Sequence, residues 1–381
     1  MKVALVGMGP IGSMHVDNIT AGKIPGCELV AVCDTRKIEN PKLDGKKIYS
    51  DIDALLADKD VESVIISTPS FTHFDLACKV LNAGKNVLVE KPMALCTADI
   101  LKIDALAKEK KLTAAVMLNQ RTNPMYARIR QLVKDGELGK INRVSWNMTN
   151  WYRPDVYYKC NTWRGTFKGE AGGVLINQGI HNIDAFAWIF GLPQTLRAWC
   201  KFGKYHDIEV EDEVSAFMEY PENMTATFIT SSGEHPGTNR FEISGDKGYI
   251  VAEDGKLLKK YMFKDTTLSD YTKNTKYVFG TPETEYSQEE FSDKGLQHVG
   301  VLRNFVNSIN GKEELLYSPA QGYLSVCLAN AMLLSTWTNS DIKFPFNDAA
   351  YAALLAEKTA NSKLRTETVK DCIMDFGKSF R

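Results

Sequence analysis

Long apolar runs are missing from this chain of 381 residues. No stretch approaches the ~20 apolar residues that a membrane-spanning helix needs. An excess of charge is missing too, with 46 Lys and Arg against 47 Asp and Glu. Bulk electrostatics therefore gives no reason to expect nucleic acid or an acidic membrane surface as partner. There is no C-x-x-C pair. The eight cysteines (Cys27, Cys33, Cys78, Cys96, Cys160, Cys200, Cys327 and Cys372) are scattered, several inside apolar patterns. That predicts free thiols in a reducing, cytoplasmic setting and no metal site. Internal repeats and low-complexity segments are also lacking. The opening M-K-V-A-L-V-G-M-G has the look of a signal peptide, but its apolar run is short and passes into a glycine motif, so it reads as a first strand. What remains is an ordinary globular composition, 44% hydrophobic and 24% charged, on a chain long enough for two cores.

Lys2–Val6 is a short β-branched run, followed by Gly7-Met8-Gly9-Pro10-Ile11-Gly12 and a helical pattern to about Ala21. Strand, G-x-G-x-x-G and helix together are the dinucleotide fingerprint. The glycines permit a tight turn and close approach to a pyrophosphate, which meets the free N–H groups of the helix start. The second strand, Glu28–Cys33, ends at Asp34, 22 positions after Gly12. A carboxylate there accepts from both adenosine ribose hydroxyls and repels a 2′-phosphate, which favours NAD. Thr35 and Arg36 follow, and Arg36 softens that preference. Strands at Val61–Ser67, Asn86–Val89 and Thr113–Met117 alternate with helices ending near Ala83 and Lys111. This rhythm predicts a doubly wound parallel sheet, with ligands beyond the strand C-terminal ends. Thr68, Pro69, Ser70, Glu90, Lys91, Asn119 and Arg121 fall at or just past such ends. Lys91 follows a buried strand and precedes a proline, a position from which an ammonium polarises a substrate oxygen. His15 and His73 are expected to line the cofactor site or to pack, while His206, His235 and His298 have no supporting context.

Beyond residue 120 the character changes. Asn123–Asp135 reads as a connecting helix and Lys140–Thr149 as a strand. The segment W-Y-R-P-D-V-Y-Y-K-C-N-T-W-R follows. Its Trp151, Tyr152, Arg153, Tyr157, Tyr158, Trp163 and Arg164 suit either an aromatic packing layer or a stacking surface for a sugar ring. In G-G-V-L-I-N-Q-G-I-H-N-I-D-A-F-A-W, Asn177, His181 and Asp184 are spaced i, i+4, i+7, so a helix over Gly172–Trp188 places them on one face. Strand-like runs at Gln194–Phe202, Val214–Tyr220, Met224–Thr230, Arg240–Ser244 and Gly248–Ala252 are joined by tight turns and predict an antiparallel sheet in an α+β domain. Glu285–Asp293 reads as a polar loop, Gly295–Asn310 and Pro319–Thr338 as closing helices, and Ala349–Phe380 as helical patches that pack on the surface or on a partner subunit.

Gly7–Gly12, Glu90-Lys91-Pro92, Trp163-Arg164 and the Gly172–Asp184 motif, in this order, resemble the glucose–fructose oxidoreductase / inositol dehydrogenase / rhizopine-catabolism family, Gfo/Idh/MocA. The resemblance covers all but about the last thirty residues. It implies a Rossmann domain (1–120) binding NAD or NADP, and an α+β domain (121–381) with an open, mostly antiparallel sheet that binds substrate and pairs subunits through its outer face. It implies oxidation or reduction of a sugar or cyclitol hydroxyl, with Lys91 and His181 beside the nicotinamide. Glu90 and Pro92 shape the cofactor site, the Lys91–Pro92 bond often being cis, and Trp163-Arg164 touches the cofactor. Many relatives carry Asp where this chain has Asn177, so a relay through that carboxylate is unavailable; Asn177 still fixes a substrate hydroxyl. His181 is the expected general base and Lys91 the polariser of the same oxygen. Asp184 orients His181 or is structural. The aromatic segment favours a pyranoside oxidised at C3 to a 3-keto sugar. Inositol or sugar C1 oxidation, an NAD-dependent glycosidase without net redox change, and a non-catalytic NAD sensor are the alternatives.

Overall fold

The computed structural model describes residues 1–369, 372 and 373, and these form two compact units. The first comprises Met1–Thr122 and Gly295–Cys327; the second comprises Asn123–Lys294 and the residues from Leu328 onward. The first unit thus runs to Thr122, and Gly295–Cys327 returns to it. The reason is packing. Val301, Leu302, Phe305, Val306, Tyr317 and Val326 are buried in the same apolar cluster as the first-sheet strands.

Six strands make the first sheet: β1 (Lys2–Val6), β2 (Glu28–Cys33), β3 (Lys47–Tyr49), β4 (Ser63–Ile66), β5 (Asn86–Val89) and β6 (Ala114–Val116), in the order β3-β2-β1-β4-β5-β6. All pairs are parallel. Strands β1, β4, β5 and β6 are buried almost throughout, as near-continuous Val, Ile, Leu and Ala runs require in a sheet covered on both faces. The strand order reverses between β1 and β4, the switch point at which a dinucleotide crosses such a sheet. Ser67 N–H and Oγ both donate to the β1 end, at the Val6 and Gly7 carbonyls, and close that edge.

The second unit is built on nine strands: β7 (Ile141–Met148), β8 (Thr195–Phe202), β9 (Glu211–Glu219), β10 (Thr225–Ser231), β11 (Asn239–Gly245), β12 (Gly248–Glu253), β13 (Leu257–Phe263), β14 (Thr284–Glu290) and β15 (Ile342–Lys343). Their order is β14-β13-β12-β11-β7-β10-β9-β8-β15, open at both ends and antiparallel except for β7 with β10. The segment read as a polar loop is therefore edge strand β14. Its side chains are mostly exposed, so they carry no burial pattern; its backbone pairs with β13 over all seven residues. One sheet face is the core, where Trp146 stacks on Phe241 at 4.2 Å between centroids. Phe186 of the helix Ile180–Phe190 packs on Trp146, Phe228 and Phe241. The other face leaves Trp199 51% and Phe217 40% exposed.

The helix Pro319–Thr338 forms as expected, and Asp348–Asn361 is the last one described. The helical patches expected toward Phe380 fall partly on residues 370, 371 and 374–381, outside the described residues. None of the eight cysteines is in a disulfide. Among the described residues no helix is long and apolar enough to cross a membrane.

Candidate active site

In the first unit the glycine turn fits a dinucleotide by what it leaves out. A methyl group on Gly12 would lie 2.0 Å from the Gly7 carbonyl oxygen, so only glycine lets the helix Pro10–Thr20 start this close to the strand. The helix begins with Gly9 as cap and Pro10 at its first turn, and among the described residues no side chain caps its N–H groups. Asp34 sits beside the turn. Its Oδ2 accepts from the Met8 N–H at 2.8 Å, and its carboxylate is gripped by Arg36 through Nε at 3.0 Å and Nη2 at 2.9 Å. Burial works against the Asp34 charge, but hydrogen bonds from Arg36 and Met8 outweigh it and hold the carboxyl down at about 2. Arg36 is itself mostly exposed. The Asp34 carboxylate is thus oriented and ionised, and Thr35 is exposed next to it.

On the other side of the switch point, Thr68-Pro69-Ser70 leads into a short turn. The Thr68 and Thr72 hydroxyls share a hydrogen bond of 2.6 Å. His73 is fully committed: Nδ1 faces the Pro92 carbonyl at 2.7 Å and Nε2 the Thr68 carbonyl at 2.9 Å. It ties the β4 end to the Lys91–Pro92 bend, whose peptide bond is cis. Burial lowers the His73 pKa.

Glu90 is buried between two histidines. His15 Nε2 lies 2.9 Å from Oε1 and His298 Nε2 3.8 Å from the same atom, the two rings meeting edge to face. Burial pushes the Glu90 carboxyl up, but the His15 hydrogen bond and the charges of His298 and Lys91 bring it down to about 2. Burial drives His298 down to about 4. Both features leave a fixed anion beside Lys91, whose backbone N–H reaches Glu90 Oε2 at 3.3 Å. The histidine without sequence context therefore belongs to the Lys91 corner; 208 residues separate it from Glu90, and no local pattern announces the pair. Asn119 is buried and donates to Gln297. The Arg121 guanidinium is taken up by Gln321 Oε1 at 2.6 Å and the Gln321 carbonyl.

In the second unit the helix carrying His181 and Asp184 starts at Ile180, eight residues later than expected. Residues 172–179 form successive turns. Glu211 at the start of β9 pins them to the sheet. Its Oε1 takes the Gly173 and Leu175 N–H groups at 2.8 and 3.0 Å, and its backbone carbonyl takes the Val174 N–H. Asn177 lies before the helix, not on its face. A methyl on Gly173 would lie 1.9 Å from the Glu211 carbonyl oxygen.

Asn177 joins another cluster. Its Nδ2 donates to the Tyr157 hydroxyl at 3.0 Å and to Glu170, a buried carboxylate that no sequence pattern singles out. Gln178 Nε2 donates to Tyr157 at 2.9 Å, and Arg164 Nη1 donates to the same oxygen. The Arg164 guanidinium lies 4.1 Å from the Tyr157 ring centroid, 4.5 Å from that of Trp163, and 3.8 Å from Glu170. Arg153 stacks over Trp151 and Tyr157. Tyr158 is buried against Ser232 Oγ, which makes it packing, whereas Tyr152 is exposed. His181 is nearly buried, its ring 6.5 Å from that of Trp151. His206, also without sequence context, pairs through Nδ1 with Asp212 at 3.1 Å, and its Nε2 donates to the Arg153 carbonyl. Among the described residues no three His, Cys, Asp or Glu side chains come together as a metal would need.

Comparison with known proteins follows the same division. Residues 1–118 match the oxidoreductase family, NAD-binding Rossmann fold, and residues 126–251 match the GFO/IDH/MocA C-terminal domain. An inositol 2-dehydrogenase of Rhizobium meliloti is 24% identical over 342 residues, 88% of this chain and 96% of that protein. An inositol 2-dehydrogenase of Salmonella typhimurium is 35% identical over 147 residues, 37% of this chain and 43% of its own length. The fold matches the WlbA dehydrogenase of Chromobacterium violaceum, solved with NADH and UDP-GlcNAcA, at TM-score 0.77 and 23% identity over 91% of this chain and 96% of that one. It also matches a levoglucosan dehydrogenase, solved with NADH and L-sorbose, at TM-score 0.75 and 19% identity over 91% and 99%.

Proposed function

Because the chain belongs to the GFO/IDH/MocA oxidoreductase family, as an NAD-binding dehydrogenase acting on CH–OH groups, we propose that it moves a hydride between a secondary hydroxyl of a sugar or glycoside and nicotinamide, with pyranoside C3 the favoured carbon and a 3-keto sugar the product. The observation that carries the reading is the Tyr157–Arg164–Asn177–Gln178 group. It sets N–H donors and flat aromatic faces a few residues ahead of His181, a combination suited to a polyhydroxylated ring. Inositol or sugar C1 oxidation is the second reading, favoured by the inositol dehydrogenases among the relatives. A glycosidase without net redox change and a non-catalytic sensor are outcomes the test below separates.

Bound NAD supplies the hydride acceptor. His181 takes the hydroxyl proton, and Lys91 stabilises the negative charge developing on that oxygen. Glu90 keeps an anion next to Lys91. Trp163, Tyr152 and Arg153 contribute to the ring-binding surface. The working protein is a cytoplasmic homo-oligomer, with Trp199 and Phe217 on the sheet face that a second subunit covers.

Purified protein is mixed with NAD and a panel of free sugars, inositols, O-glycosides and C-glycosides, following NADH absorbance and product mass. A product lighter by two hydrogens with NADH formed is the expected result. Aglycone release without NADH selects the glycosidase. NAD binding without turnover of any panel member selects the sensor. Wild-type turnover by Lys91→Ala or His181→Ala would overturn the residue roles.

A further inference from the structure

The turn that opens the helix Gln297–Ile309 makes an unusual arrangement at the end of β6. Gln297 has φ +49°, a left-handed conformation that non-glycine residues adopt at a cost and that clusters at functional positions. Its N–H donates to Thr122 Oγ1 at 2.8 Å, which in turn bonds the Asn119 carbonyl. Its side-chain Oε1 accepts from Asn119 Nδ2 at 2.8 Å and from Gln120 Nε2 at 3.3 Å. Two amide donors on one oxygen fix which end of the Gln297 amide faces Asn119. Asn119 must then offer its NH2 group to Gln297 and turn its carbonyl away. That carbonyl, Oδ1, is buried and has no partner among the described residues. Asn119 itself is fully buried. A buried acceptor without a donor is costly unless a ligand supplies the donor.

The sheet says which ligand. Asp34 at the β2 end marks the adenosine side of the crevice. The nicotinamide half of a dinucleotide then lies beyond β4, β5 and β6, where Glu90-Lys91 and Asn119 stand. Nicotinamide carries a carboxamide, whose NH2 group is the one good donor on that ring. We propose that Gln297 is a positioning residue that orients Asn119 so that Oδ1 receives the nicotinamide carboxamide N–H. This rests on the NAD-dependent reading above for the identity of the cofactor, and on nothing about the sugar. It also gives the return of residues 295–327 to the first unit a function: this segment completes the nicotinamide end of the cofactor site.

Calorimetric titration without sugar tests it, using NAD, 3-acetylpyridine adenine dinucleotide and ADP-ribose. The acetylpyridine analogue has the ring and the carbonyl but no N–H donor; ADP-ribose has no ring. Wild type binds NAD about 3- to 10-fold tighter than the acetylpyridine analogue, the worth of one neutral hydrogen bond. Gln297→Gly deletes the amide while relaxing the left-handed backbone. It weakens NAD by that factor, removes the discrimination, and leaves ADP-ribose affinity unchanged. Gln297→Glu keeps an acceptor for Asn119 and retains most of the discrimination. Discrimination that persists in Gln297→Gly, or an equal loss of NAD and ADP-ribose affinity, overturns the proposal. Absence of NAD binding by the wild type would instead overturn the cofactor reading on which it stands.

Discussion

Glu211→Gln is expected to stabilise the protein above neutral pH and to do nothing below pH 4. The wild-type carboxyl is wholly buried. Its Oε1 holds the Gly173 and Leu175 N–H groups, and Oε2 has no partner among the described residues. Burial pushes the carboxyl up to about 7; the backbone donors pull against this without cancelling it, and the nearby Glu170 adds to the rise. In the unfolded chain a glutamate titrates near about 4.3. Between those values the unfolded chain ionises first, so the native state loses stability as pH climbs from about 4.3 to 7, and the loss is constant above. Its full size is about 4 kcal/mol. Glutamine keeps the Oε1 acceptor and cannot ionise. At low pH the protonated glutamate and the amide are alike, since each presents one acceptor and an unmatched donor. The difference between variant and wild type should therefore be near zero at pH 4 and up to about 4 kcal/mol at pH 8. Urea unfolding of the full chain at pH 4, 6 and 8, followed by tryptophan fluorescence, measures it. Parallel stability curves at all three pH values would refute the argument, because they would mean that Glu211 titrates alike folded and unfolded.

Gly173→Ala places a methyl 1.9 Å from the Glu211 carbonyl oxygen, so the turn and β9 must part; a loss of roughly 2–4 kcal/mol in unfolding free energy is expected, and the same urea titration reads it. Asp34→Ser removes the carboxylate that excludes a 2′-phosphate and frees the Arg36 fork to meet one. The affinity ratio of NADP to NAD should rise roughly 10- to 100-fold in calorimetric titrations; an unchanged ratio would mean that another group selects the cofactor.

The parallel sheet is legible because its strands are buried on both faces, and a short Val, Ile and Leu run says so without help from the rest of the chain. Asp34 is legible because the fingerprint spacing is local. Strand β14 is not, since T-E-Y-S-Q-E-E owes its conformation to β13 and to cross-links such as Glu289 with Arg128 and Lys260. The late start of the His181 helix is hidden for a related reason. The run from Gly172 onward has helical spacing, but Glu211, which holds its first residues against the sheet, lies on a later strand. The His15–Glu90–His298 group and the Asn119–Gln297 pair each need residues nearly two hundred positions apart or more, which spacing within one segment cannot show.

Asn177 is where the legible and illegible parts meet. The family resemblance implies Asp at this position in many relatives, against which Asn177 looks like a lost proton acceptor. Yet its neighbour is a buried carboxylate, Glu170, whose Oε2 takes the Gly165 N–H at 2.9 Å while Oε1 takes the Asn177 amide. A second carboxylate here would turn a donor–acceptor pair into two facing acceptors. Like charges at such range raise a pKa, so one of the two must be protonated or the cluster must open. Asn177→Asp is therefore expected to bring no gain in activity and to destabilise the protein by about 1–3 kcal/mol at pH 8. The defect should shrink as pH falls, because the carboxyl with the raised pKa regains its proton and can then donate to its neighbour. Thermal melts of variant and wild type at pH 5 and pH 8 decide the matter. If the Asn177→Asp protein is as stable as wild type at pH 8, Glu170 does not depend on the amide, and the departure from the family at residue 177 follows from something other than the carboxylate beside it.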